Sequence, residues 1–140
     1  MSSAKQDAEQ LLDSALPLAE SLLKEHGEFF PYGAAMKPDG QIVSIAADNG
    51  EENPPSQSVI DILRSTFKIA ASKQEYIATA IIYDVLTIPP KRETKTDAIA
   101  VALDHRDQYS VVVFFPYKIA DGKVELEPPF ATEGSAEIFE

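Results

Sequence analysis

The stretch VVVFFPY, residues 111–117, restricts the fold more than any other part of this chain. Successive side chains of a strand point to opposite faces. Val111, Val113 and Phe115 therefore point one way, and Val112 and Phe114 the other. Both faces are apolar. An antiparallel strand with one wet face would alternate apolar and polar residues instead. The pattern predicts a strand inside a sheet that is covered on both faces. Thr96–His105 supplies its partner through a short polar turn, so Thr96–His105 and Tyr109–Ile119 should form an antiparallel hairpin. In the partner, Ile99, Val101 and Leu103 share one face, and Ala98, Ala100 and Ala102 share the other. An alanine face either lets a helix approach closely or fills an exposed surface.

Upstream, Leu11, Leu12, Ala15, Leu16, Ala19, Leu22 and Leu23 recur at helical spacing. Gly27 supplies a left-handed stop. Pro17 interrupts the ladder of this helix, which predicts a kink or two short helices. MKPDGQI is a turn between strands near Ala34–Met36 and Ile42–Ala46, with Pro38 presetting φ and Gly40 accepting a positive one. DNGEENPPSQ, residues 48–57, reads as a surface loop. Ser56 or Ser58 is placed to cap a second helix, with Val59, Ile62, Leu63, Thr66, Phe67, Ala70 and Ala71 as its buried stripe. Glu75–Ile88 is a further strand, Val124–Leu126 a brief one, and the acidic tail after Pro128 reads as irregular. The order α-β-β-α-β-β-β predicts an α+β domain spanning residues 1–140: a five-stranded antiparallel sheet with two main helices and strand order 2-1-5-4-3.

This element order resembles the profilin-like and roadblock-like arrangements. The segments HGEFFPYGAAM, YDV, KTDAIAVALDHRD and VVFFPYK also resemble a family of small bacterial proteins, over about residues 20 to 139. That resemblance implies no activity, cofactor or catalytic residue, and a fold alone does not fix a function.

Charge and composition exclude several functions. The chain has 140 residues, no cysteine, a formal net charge of −11 and a sequence pI of about 4.5. Without cysteine there is no disulfide, thiolate nucleophile or sulfur-ligated metal, which fits a reducing cytoplasm. The acidity disfavours nucleic acid and anionic membrane surfaces and steers basic partners inward. The N-terminal residues lack the basic-then-apolar order of a signal peptide, and no run is apolar enough to span a membrane. A cytoplasmic location is the expectation.

Asp104-His105-Arg106-Asp107 has the residue types of an acid–base site, since a carboxylate can orient an imidazole. Neighbours along a strand diverge, however, so Asp104 and His105 do not meet, and the hairpin tip is the plainer reading. His26 and His105 are the only histidines, a poor metal set. No nucleophile elbow or phosphate loop occurs. The basic island PPKRETKTD (Pro89–Asp97) reads as a solvated loop, or as a surface for an acidic patch of another copy. Phe29, Phe30 and Tyr32 either line an aromatic pocket or fold the first helix onto the sheet edge. Asp84 needs a donor if half-buried, and Lys95 or Thr96 is placed to supply one. The candidate binding residues are therefore Phe29, Phe30, Tyr32, Asp84, His105 and Arg106, with no catalytic residue, metal or cofactor expected. The leading expectation is a non-catalytic protein-binding module, of which an immunity-type inhibitor of a basic toxin is a concrete version. Its rivals are a small-ligand sensor or enzyme with a pocket near Phe29–Tyr32, and a structural homodimer.

Overall fold

Helix α1 runs from Ala4 to His26 in the computed structural model, which describes residues 3–46 and 55–139. A capping box opens it: the Ser3 hydroxyl accepts the Gln6 backbone N–H, and the Gln6 side chain accepts the Ser3 N–H. Gly27 closes it at φ 76°, where its N–H reaches the Leu23 carbonyl. Of the two outcomes expected at Pro17, a kink or two short helices, the second does not occur, and the helix is continuous. Pro17 is on the exposed side, so the Asp13 carbonyl it frees can turn to water. Leu11, Ala15, Ala19 and Leu23 meanwhile hold one buried stripe past it.

Strands β1 (Tyr32–Met36) and β2 (Ile42–Ile45) form the first hairpin. Of the loop expected over residues 48–57, residues 48–54 lie outside the described residues, and Ser56 and Gln57 open α2 (Ser56–Ser72). Neither Ser56 nor Ser58 caps that helix; Pro55 stands at the cap without a side-chain bond. Val59, Ile60, Leu63, Phe67 and Ala70 are its buried face. Ile60 is buried where Ile62 and Thr66 were expected, because the stripe faces the sheet at a slightly rotated angle. There follow β3 (Ala78–Thr87), β4 (Thr96–His105), β5 (Tyr109–Ala120), β6 (Lys123–Leu126) and β7 (Phe130–Glu133).

The fold is α+β with one antiparallel sheet and two helices, but the sheet has seven strands rather than five. Its order is β2-β1-β3-β4-β5-β6, with β7 also on β5, which replaces the expected 2-1-5-4-3. After α2 the chain returns beside β1, pairing Tyr32 with Ile82 and Met36 with Ala78. Strand β5 is interior to the sheet, but Val111–Phe115 are only half-buried, so its two apolar faces are not fully covered as expected. Its outer neighbours come from the C-terminal segment, not from β1. β7 pairs with Val111–Phe114, and β6 with Tyr117–Ala120 beyond Pro116. The tail expected to be irregular thus contributes a strand. Further on, Ile138 is buried against α2, and the Glu137 carboxylate lies 3.7 Å from Arg64 and 3.9 Å from Lys68.

The helices cover opposite faces. Helix α1 packs on Ala34, Met36, Ala80, Ile82, Ile99, Val101 and Leu103. Helix α2 packs on Ala35 and Ile81. Val113 and Phe115 join the α1 side only half-buried. On the other side Phe114 stacks on Phe130 at 5.0 Å between ring centres. Ala98 and Ala100 are fully buried. Their cross-strand neighbours are Val85, Pro116, Tyr83 and Phe114, larger side chains that rise above the two methyl groups. Of the basic island, Arg92 pairs with Glu127, which Lys118 of β5 also approaches. No helix among the described residues is long and apolar enough to cross a membrane.

Gly33 sets how closely α2 approaches. A Cβ there would stand 2.7 Å from Cζ of Phe67 and 3.2 Å from a Leu63 methyl carbon. Gly33→Ala is therefore expected to lower the chemical-denaturation midpoint, by an overpacking cost of about 1–3 kcal/mol. Adding Phe67→Leu to that variant should recover part of the loss, although Phe67→Leu alone is destabilising. Equal midpoints for Gly33→Ala and the parent would rule out the close contact.

Candidate functional site

Past Gly27 the chain descends from α1 to the sheet through Glu28–Pro31. Phe29 and Pro31 turn inward and Phe30 stays 49% exposed. Tyr32 then enters β1 on the α1 face, where its hydroxyl donates to the Ala15 carbonyl at 2.6 Å. Burial pushes that hydroxyl up to about 12, against an opposing hydrogen bond from the Ala19 backbone, so it remains a donor. The rings of Phe29 and Tyr32 stand 6.0 Å apart at 60°. The β1–β3 ladder ends at Tyr32–Ile82, whereas β3 continues to Thr87. Among the described residues, Tyr83–Thr87 therefore has a partner strand only in β4.

A groove of about 660 Å³ opens at this step in the sheet. Leu18, Leu22, Phe29, Phe30 and Tyr32 supply its apolar surface, and Glu28, Asp84, His26 and Ser56 its polar one. Leu18 is 46% exposed, out of phase with the buried stripe. Four of the six residues expected from sequence (Phe29, Phe30, Tyr32 and Asp84) meet here. Asp84 does not take a donor from Lys95 or Thr96. Its Oδ1 accepts the hydroxyl of Tyr117 at 2.8 Å, from two strands away on the same face. Thr96 pairs with Thr87, too far along the ladder to reach it. Burial raises the Asp84 carboxyl above the usual range, opposed by the Tyr117 bond and reinforced by the charges of Asp97 and Glu28. Burial and the carboxylate together raise the Tyr117 hydroxyl as well.

His105 and Arg106 lie elsewhere. The His105 side chain is buried against α1, and its Nε2 is 2.9 Å from Oδ2 of Asp7, ninety-eight residues away in sequence. Its Nδ1 accepts the Asp107 backbone N–H at 3.0 Å. With Nδ1 accepting, Nε2 carries the ring proton and donates to the carboxylate. A carboxylate and an imidazole do converge here, but both ring nitrogens are used within the fold. The pair clasps the first turn of α1 to the β4–β5 turn. Asp104 points to the opposite face, where its carboxylate accepts the Ser110 hydroxyl at 2.8 Å. Arg106 is exposed and borders a cavity of about 390 Å³ beside Lys68 and Glu137. Among the described residues, no three acidic or histidine side chains are grouped to hold a metal ion.

Sequence reasoning did not reach Leu18, Tyr117 or Asp7. Leu18 carried a signal, an apolar residue off the stripe and beside a proline. Asp7 reads in sequence only as an acid in a first helical turn. Comparison of the chain with models of protein families finds no match, and neither does comparison with curated proteins or with solved structures.

His105→Leu leaves the buried Asp7 carboxylate without its ring donor and should cost about 3–5 kcal/mol by urea denaturation. Asp7→Leu combined with it should restore a good part. A loss in the double variant equal to the sum of the single losses would show that the pair is not coupled. For Asp84, a raised folded-state value means that stability is fully present below the unfolded-state value and falls as pH rises through the folded one. Asp84→Asn keeps an acceptor for Tyr117 and removes the charge. It should raise the midpoint at pH 7, with the gain shrinking as pH falls into the carboxylate range. A gain that is constant or grows on acidification would contradict this.

Proposed function

We propose that this chain is a non-catalytic protein-binding module, and that its partner presents a basic surface to the groove between α1, the Glu28–Tyr32 segment and β3. The observation that carries the reading is the pairing of exposed Leu18 and Phe30 with the carboxylates of Glu28 and Asp84 in one open groove. Exposed apolar side chains gathered at a concave site mark interaction surfaces. A net charge of −11 draws a basic partner to it. An immunity-type inhibitor of a basic toxin fits this description. The His105–Asp7 pair supports a binding rather than a catalytic role, because neither ring nitrogen is left for a substrate. A small-ligand sensor is the second reading, since about 660 Å³ lies within the range of small-molecule sites.

Phe30→Asp distinguishes them. The side chain is half exposed, so the variant is expected to keep the parent's melting temperature. Immobilised parent protein should capture basic proteins from a lysate of the host, and both the variant and raised salt should release them. Identical capture by parent and variant would sink the protein-binding reading at this groove. A tightly held small molecule released by denaturing the parent, and missing from the variant, would favour the sensor.

A further inference from the structure

We infer that the groove recognises a single lysine side chain of the partner, with the ammonium set between Asp84 and Glu28 and the methylene stem laid against Leu18, Leu22 and Phe29. This rests on the reading of the groove as a partner-binding surface and names the group it selects.

Three observations converge on an ammonium. The groove joins apolar side chains to carboxylates, and a lysine has that same division between stem and head. Phe29 and Tyr32, a tilted pair 6.0 Å apart, add aromatic rings to that lining, and aromatic rings attract cations. Among the described residues, neither Glu28 nor Asp84 has a lysine or arginine within 4.0 Å. Two carboxylates thus share one groove, and burial, then the charges of Asp97 and Glu28, oppose the ionised form of Asp84. A cation bound there offsets the repulsion.

The choice of lysine over arginine follows from Tyr117. A guanidinium gains most from a fork of two N–H groups onto both oxygens of one carboxylate. Asp84 has one oxygen committed to the Tyr117 hydroxyl, which is itself buried. A fork onto both oxygens would have to share the one that already accepts the Tyr117 hydroxyl, which weakens it. A compact ammonium needs no fork and can divide its three donors among Asp84, Glu28 and the Ser56 hydroxyl, all of which line the groove. Tyr117 in this role is a positioning residue that sets which cation fits.

The test uses a short alanine–glycine peptide carrying one lysine, with matched norleucine and arginine analogues and free n-butylamine, each titrated into the isotope-labelled chain by NMR. The lysine peptide should shift the amides of Phe30 and Asp84, and the norleucine analogue should bind about tenfold more weakly. Asp84→Asn should erase that difference. Tyr117→Phe frees the second Asp84 oxygen and should narrow the preference for lysine over arginine. Melting temperatures of both variants establish that they are folded. Equal affinity for lysine and norleucine, a preference for arginine in the parent, or no binding of n-butylamine, which has the same stem and head, would each overturn the inference. If these occur while Phe30→Asp still abolishes partner capture, the lysine assignment alone fails. If Phe30→Asp has no effect on capture either, the groove is not the partner surface.

Discussion

The ten-residue ladder between β3 and β4 is the constraint from which the rest of the architecture follows. Its side chains are apolar on both faces. On one face Ile82, Ile99, Val101 and Leu103 are buried under α1, and on the other Ile81 is buried under α2. A sheet of this kind cannot leave either side to water, so the two helices must divide between its faces. The length of β3 has a second consequence. β1 has five residues and β3 has ten, so β3 outruns its neighbour. The sheet gains a step, and the descending segment from α1 crosses beside that step instead of filling it.

That step gives the groove its character. Phe29 and Pro31 secure the segment in the core while Phe30 stays outside. The Tyr32 hydroxyl fastens the same segment to α1 at Ala15, two residues before Pro17. Asp84 stands where β3 passes beyond Ile82, half-buried and held by Tyr117. The acidity of the groove is therefore local and oriented as well as a share of the overall charge. The His105–Asp7 clasp works at the other end of α1 by the same physics, with a buried carboxylate met by a donor from a distant strand. There the donor belongs to the fold, while at the groove the carboxylates have a share of their charge still facing outward.

Much of this was legible along the chain. The apolar runs of Thr96–His105 and Tyr109–Ile119 announced the central hairpin, because a period of two with both faces apolar has few other solutions. The stripe of α1 was readable despite Pro17, since a proline on the exposed side breaks one hydrogen bond without rotating the residues beyond it. The aromatic segment Phe29–Tyr32 stood out by its composition, which left open whether it lines a pocket or packs the first helix onto the sheet edge. Ile60 was misplaced because helical phase is uncertain by a residue in a short stripe. The C-terminal strand was missed because Phe130–Glu133 has only one strongly apolar residue. It pairs through its backbone, which leaves little trace in side-chain pattern.

Local pattern thus determined both helices, every strand but the last, and most of the faces they bury. Those properties depend on side-chain spacing within a few residues, and spacing is written in the sequence. The tertiary structure alone decided that β3 rather than β5 lies beside β1, that Tyr117 and not Lys95 or Thr96 answers Asp84, and that His105 finds Asp7 across ninety-eight residues. Each of these joins groups far apart along the chain. Which of them meet depends on how the whole sheet is ordered and covered, and no local period carries that information.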